Sequence, residues 1–326
     1  MRLLTYLNSK HQERVGVLIQ ASVIDAVEAI SWLKESSLLP TDMLTVIREQ
    51  DKMIPLLQKV LSAHQENRLP SSCIVPESQI RIVSPLPRPL SMRDGYAFRQ
   101  HVEAARRNRG VPMIPEFDHF PVFYFTNHLA VTGPGEIEVQ PLAQDKLDFE
   151  LEVAVVMGRQ GKNIPASQAD DYIFGYMIMN DWSARTLQME EMKLNLGPAK
   201  GKDFATSLGP YLVTRDELEK ALIRGKLGDK YNLKMKAFVN GKQLSEGNLQ
   251  DMNWSFAQII ERASYGVTLY PGEVIGSGTV GTGCLLELNG SKITDNLWIK
   301  PGDEVVMEVE QLGRLVNTVR AAEMKG

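Results

Sequence analysis

The chain has 326 residues, 43% of them hydrophobic, enough to bury the core of one large domain with a small appendage or of two domains. A net charge of -4 and a sequence pI of about 5.8 give no basic footprint for nucleic acid or an anionic membrane, so neither is expected as a partner. No apolar run reaches membrane-spanning length, and Cys73 and Cys284 lie far apart with no C-x-x-C spacing. These features exclude a disulfide framework and a zinc knuckle, and predict a cytoplasmic protein with two free thiols.

Residues 3–30 alternate short apolar runs with turn residues, as in Arg14-Val15-Gly16-Val17-Leu18-Ile19 and Val23-Ile24-Asp25-Ala26-Val27. They predict two or three short antiparallel strands. From Thr41, a candidate cap, Met43, Leu44, Ile47, Leu56, Leu57, Val60 and Leu61 recur at three and four residues and predict helices. Pro70, Pro76, Pro85, Pro87 and Pro89 then favour extended chain. A boundary near residue 80 is expected there, dividing a small N-terminal domain (1–80) from residues 81–326. Asp94 reads as the N-cap of a helical stretch carrying Tyr96, His101 and Ala105 and ended by Gly110. A solitary helical histidine is usually structural or exposed; beside a metal pocket His101 becomes a candidate base. Residues 111–130 form an aromatic loop or strand in which His119 and His128 lack ligand spacing.

The stretch Asp148-Phe149-Glu150-Leu151-Glu152-Val153-Ala154-Val155-Val156 sets carboxylates at alternate positions of an otherwise apolar run. On a strand, Asp148, Glu150 and Glu152 share one face. Buried like charges about 7 Å apart are costly unless a proton or cation compensates them, and a divalent metal is the simplest compensation. A solvated edge strand is the plainer alternative, but Val153 to Met157 continue without polar alternation, as in a strand covered on both faces.

Residues 172–179 read as a second buried strand, ending at Asn180-Asp181-Trp182-Ser183-Ala184-Arg185, where Asp181 could serve a metal or merely cap the next helix. The Gly-rich turn Asn195–Phe204 presents Lys200 and Lys202 without a P-loop pattern. The last third reads as antiparallel sheet, with a hairpin at Asn240-Gly241, a short helix over Phe256–Ala263, a glycine-dense run from Pro271 to Gly283, and an apolar strand through Leu285-Leu286-Glu287-Leu288.

Several separated motifs then agree in order. They are Asp94-x-Tyr96 with His101, the Asp148-Phe149-Glu150-Leu151-Glu152 run, Asn180 to Arg185 with Gln188, Gly201-Lys202-x-Phe204, and Gly276-Ser277-Gly278-Thr279 leading to Glu287. From about residue 90 onward the chain resembles the fumarylacetoacetate hydrolase superfamily. The resemblance implies a mixed α+β, mainly β fold: a fumarylacetoacetase-like β-roll C-terminal domain with a small N-terminal α/β domain, usually as a homodimer. Asp94, Glu150, Glu152 and Asp181 match its ligands for a divalent cation, with Mg²⁺ expected first and Ca²⁺ or Mn²⁺ as alternatives. His101 with Glu287 matches the dyad that activates water. Arg185, Gln188 and Lys202 match the groups that stabilise developing negative charge; Tyr96, Tyr124 and Thr279, with Arg185 and Gln188, match substrate contacts.

The implied reaction is metal-dependent hydrolysis of a carbon–carbon bond in a 1,3-diketo acid such as fumarylacetoacetate or an acylpyruvate. The arrangement of Asp94, Tyr96 and His101 is more similar to the fumarylacetoacetases proper than to the shorter acylpyruvate hydrolases. Two positions depart from that pattern: Met192 stands where a second substrate-binding tyrosine is expected, and the expected arginine falls in Arg106-Arg107-Asn108-Arg109, one position off. The N-terminal unit is also shorter than that of the animal enzymes. The alternatives are an oxaloacetate decarboxylase, or a related hydratase or isomerase working through a metal enolate without the water dyad, and a non-catalytic metal-binding scaffold.

Overall fold

A computed structural model describes residues 1–323. The strand Leu151–Met157 lies inside a 12-stranded sheet, between Ile173–Asp181 and Val274–Gly276, and all seven of its residues are buried. Alternation sends Leu151, Val153, Val155 and Met157 into one core, against Met235, Ala237, Val305 and Met307. Ala154 and Val156 enter a second core with Met177 and Met179 of the neighbouring strand and Met43, Val46, Ile47, Met53 and Leu57 of the N-terminal helices. Full burial of each such side chain stabilises by roughly 1.5–3 kcal/mol. The strand is therefore anchored on both faces, firmly enough to carry Glu152 into the interior.

The first core is closed by a five-stranded sheet in the order Lys242–Asn248, Lys234–Val239, Glu304–Val309, Gly313–Ala321, Gly135–Val139. Its hairpin turns at Asn240 (φ 50°) and Gly241 (φ 78°), the pair of positive φ values that matches strand twist in a two-residue turn. The sheet is antiparallel except for Gly135–Val139, which pairs parallel with Gly313–Ala321.

The N-terminal strands Arg2–Leu7, Glu13–Ile19 and Ser22–Asp25 are antiparallel to one another, and Arg2–Leu7 continues the large sheet by pairing with Thr206–Thr214, Leu3 opposite Leu212. Helices Ala26–Leu33, Met43–Arg48 and Gln50–Gln65 follow. Asp42, not Thr41, caps the second of them: its carboxylate accepts from the Thr45 amide at 2.7 Å.

Two further local expectations are overturned. Asp94 caps no helix; it lies in the strand Met92–Gly95, which pairs parallel with Val274–Gly276, and the following helix, Arg99–Asn108, starts after Phe98. Its carboxylate is drawn instead to the Gly278 amide, 3.1 Å away. Leu285–Gly290 is a helix and not a strand, because its first free amides, Leu285 and Leu286, donate to Asp148 at 2.7 and 2.9 Å. Cys73 and Cys284 are both free and buried. Among the described residues no helix is long and apolar enough to cross a membrane.

Candidate active site

Three strand ends meet at the site. Glu152 follows the face of Ala154 and Val156; Asp181 closes the strand Ile173–Asp181; Asp94 enters from Met92–Gly95 across the intervening Val274–Gly276. Carboxylate oxygens of Asp94, Glu150 and Glu152 lie within 4.8 Å of one another, all buried. Asp181 joins them through Lys202, whose ammonium donates to Glu150 at 2.5 Å and to Asp181 at 2.8 Å. Tyr124 also donates to Asp181, and Thr279 donates to Glu152 at 3.3 Å. Asp181 precedes the helix Arg185–Met192 without capping it; Ala184 holds the cap position.

Glycine makes this convergence possible. A Cβ on Gly276 would stand 2.4 Å from the Asp94 carboxylate and 2.9 Å from the Met179 sulfur. Gly278, at φ +76°, brings its amide onto Asp94, where a Cβ would strike the Gly95 carbonyl at 2.6 Å.

Five buried carboxylates, Asp94, Asp148, Glu150, Glu152 and Asp181, face two buried cations, Arg185 and Lys202. Burial tends to raise Glu150 as well, but Lys202 and then Arg185 overcome it and hold this carboxyl down at about 2. Burial, then the Asp181 charge, pushes Asp94 up to about 7. Glu152 is raised well above the usual carboxyl range, first by burial and then by Asp94 and Glu150. Two buried carboxylate oxygens, Glu152 Oε2 and Asp181 Oδ1, have no hydrogen-bond partner. Unpaired buried acceptors among excess negative charge fit a divalent cation of hard, oxygen-seeking character.

Beside the carboxylates, His101 on the helix Arg99–Asn108 places Nδ1 2.6 Å from Glu287 Oε2, and both side chains are buried. The other oxygen of Glu287 accepts from the Thr282 amide at 2.9 Å, so the carboxylate is fixed at both ends. The helices carrying the pair are bound where Asn108 donates to the Glu287 carbonyl at 3.3 Å. With Nδ1–H directed at Glu287, the network leaves Nε2 as the free ring nitrogen. The Tyr96 ring meets His101 edge-on at 5.8 Å.

Arg185 ties the parts together. Its guanidinium donates to Asp148 at 2.8 Å, to Glu150 at 2.8 Å and to Gln188 at 3.0 Å. Asp148 thus does not share the cluster with Glu150 and Glu152 as alternation predicts. The chain leaves the sheet at Phe149 and Glu150, and Asp148 pairs separately with Ser183. Its oxygens are taken by Arg185 and by the amides that start the Glu287 helix.

Residues 91–320 match the model of the fumarylacetoacetate (FAA) hydrolase C-terminal family. The chain belongs to this family. It is 28% identical over 313 residues to an oxaloacetate tautomerase of Bacillus subtilis (strain 168), spanning 94% of this chain and 95% of the relative. A mitochondrial oxaloacetate tautomerase of Homo sapiens is 30% identical over 283 residues, 86% of this chain and 80% of that one. Among solved structures, a fumarylacetoacetate hydrolase from Exiguobacterium antarcticum superposes with a TM-score of 0.72 at 21% identity, covering 99% of this chain and 100% of that one. A maleylpyruvate hydrolase from Sphingobium sp. SYK-6, in complex with manganese(II) ion and pyruvate, gives 0.71 at 20% identity with the same coverage. The mixed α+β, mainly β architecture is that of these fumarylacetoacetate hydrolase folds.

At the two positions that depart from the family pattern, the side chains have other surroundings. Met192 is 42% exposed at the end of its helix. The Arg106 and Arg109 side chains donate to the carbonyls of Pro112 and Ala105. Sequence reading had no role for Cys284, which packs against the dyad, or for Asp148 as a tether; only the Asp148-x-Glu150 spacing signalled the latter.

Proposed function

We propose that this member of the fumarylacetoacetate hydrolase family cleaves a carbon–carbon bond of a 1,3-diketo acid by metal-dependent hydrolysis. The observation that carries this reading is the buried His101–Glu287 pair, 2.6 Å apart, set against a carboxylate cluster with unsatisfied oxygens. A scaffold that only held a cation would have no use for such a pair.

Asp94, Glu150, Glu152 and Asp181 would hold the divalent ion, which when bound supplies Lewis acidity toward the adjacent oxygens of a diketone. The chain's own groups do the rest. Arg185, which donates to Gln188 at 3.0 Å, would with Gln188 receive the substrate carboxylate or its carbonyl oxygens, and Tyr96, Tyr124 and Thr279 would supply further substrate contacts. His101 Nε2 takes a proton from water as its oxygen adds to the carbonyl carbon, and Glu287 provides the counter-charge on Nδ1. The carbon–carbon bond then breaks, and its electron pair passes onto the departing enolate. Lys202 and Gln188 face that developing negative charge. His101 returns its proton to the departing carbon, completing two acids.

A second reading is supported by the oxaloacetate tautomerases of comparable length to which the chain is similar. Moving a proton between carbon and enol oxygen needs the same base and no added water. The two are separated by turnover of fumarylacetoacetate, fumarylpyruvate, acetylpyruvate and oxaloacetate by the purified protein, with Mg²⁺ or Mn²⁺ and then with excess chelator. Cation-dependent formation of two acids is expected. Ketonisation of enol-oxaloacetate with no cleavage of the other three replaces hydrolase by tautomerase.

A further inference from the structure

Cys284 takes part in none of these steps, yet it is fully buried at the start of the Glu287 helix. Its sulfur, a ring nitrogen of His101 and a carboxylate oxygen of Glu150 all lie within 4.8 Å of one another. The three come from separate elements: the Arg99–Asn108 helix, the link into Leu151–Met157, and the end of the glycine-dense loop. We propose that His101, Cys284 and Glu150 form a second metal site, selective for a thiophilic divalent cation of the Zn²⁺ class, and that its occupation switches the enzyme off.

The chemistry of the donors separates this site from the first. Asp94, Glu150, Glu152 and Asp181 offer only hard oxygens, whereas this set offers sulfur, imidazole nitrogen and one carboxylate, the combination that favours zinc. Tetrahedral zinc bonds of about 2.0–2.3 Å put ligand atoms roughly 3.3–3.7 Å apart, so the present spacing needs a contraction of at most about 1.5 Å. The second shell is already built. Glu287 holds His101 Nδ1 at 2.6 Å, leaving Nε2 to the metal, as carboxylate-backed histidine ligands are held in zinc proteins. Glu150 is common to both sets and can bridge them.

Binding replaces the S–H bond of Cys284 by a sulfur–metal bond, and the proton leaves to solvent; no electron transfer is involved. The cost to function is direct, because the Nε2 lone pair given to the metal is the one the base needs. That inhibition rests on the base role given to His101 above, whereas the coordination itself does not.

The test uses the full chain loaded with Mg²⁺, with Cys284→Ala, the closer isostere Cys284→Ser, and Cys73→Ala as the control thiol. Titration with Co²⁺ is expected to give a thiolate-to-metal charge-transfer band in the wild type and in Cys73→Ala, and none in either Cys284 variant. Zn²⁺ is expected to inhibit the wild type, with the half-inhibitory concentration raised by at least about 10-fold in whichever Cys284 variant keeps wild-type turnover, since even loss of a group that only orients a ligand costs that much. A band that survives in both Cys284 variants, no band in the wild type, or equal zinc sensitivity with and without Cys284 overturns the proposal. A wild type that shows the band but turns over no diketo acid keeps this site and loses the hydrolase reading.

Discussion

Gly276→Ala adds a single methyl at the point where three strands deliver their carboxylates. That methyl would lie 2.4 Å from the Asp94 carboxylate and 2.9 Å from the Met179 sulfur, about 1 Å inside ordinary contact with Asp94. Asp94 cannot easily yield, since the Gly278 amide holds it at 3.1 Å and its strand is pinned by parallel pairing with Val274–Gly276. Overpacking of this kind costs about 1–3 kcal/mol, which the chain survives. A displacement near 1 Å is large against a metal–oxygen bond of about 2.0–2.6 Å. Disturbance of the groups that orient ligands typically weakens metal binding about 10–100-fold, the loss expected here. Titration calorimetry with Mn²⁺ reads the affinity, and thermal unfolding reads stability. Gly110→Ala is the control: a Cβ there meets nothing within 4 Å, though φ is +71°, so it carries backbone strain without touching the site. Wild-type Mn²⁺ affinity in a folded Gly276→Ala protein would refute the assignment of Asp94 as a ligand.

Two other outcomes follow from the charge pattern. Lys202→Met removes the ammonium held 2.5 Å from Glu150 and 2.8 Å from Asp181 and leaves Glu150 to Arg185 alone and Asp181 to the Tyr124 hydroxyl, a loss of about 3–5 kcal/mol in the metal-free protein. Saturating Mn²⁺ is expected to raise the melting temperature of this variant more than that of the wild type, because no ammonium opposes the ion; equal increments in scanning calorimetry would count against a shared site. In the N-terminal unit, burial raises the Asp25 carboxyl, but hydrogen bonds from Arg14, Tyr6 and the Glu28 amide hold it below the usual range. The unfolded chain therefore takes up the proton first, so the stabilisation is complete above a pH of about 4 and is lost as pH falls through the folded value. Asp25→Asn keeps the cap and loses the charge. Its deficit of about 2 kcal/mol at pH 7 in urea unfolding should shrink toward pH 3, and a pH-independent deficit would contradict the ionic assignment.

Much of this arrangement is legible in the residues. The unbroken apolar run after Glu152 predicts a strand covered on both faces, and Leu151–Met157 is buried throughout. The Asn240-Gly241 hairpin and the helix near Phe256–Ser264 stand where local turn chemistry and periodicity put them. Asp94 and Glu287 show where local reading stops. An Asp before a helical stretch looks like a cap, and nothing near it announces the Gly278 amide that claims its carboxylate from 184 residues away. Four residues of mostly apolar sequence around Glu287 fit strand or helix equally well, and Asp148, 137 residues earlier, decides for helix by accepting from Leu285. Cys284 was illegible for the same reason: its proximity to His101 and Glu150 exists only after the glycine-dense loop has been folded over the strand.

The most direct measurement is single-turnover hydrolysis of an acylpyruvate by Mn²⁺-loaded wild type and Glu287→Gln, with Mn²⁺ affinity determined on the same samples. Glu287→Gln keeps the shape of the 2.6 Å contact and removes the charge that orients and balances His101. Cleavage into two acids that slows by about 10²–10⁴-fold, at unchanged metal affinity, is the predicted result. Cleavage at the wild-type rate in Glu287→Gln would contradict activation of water by this pair.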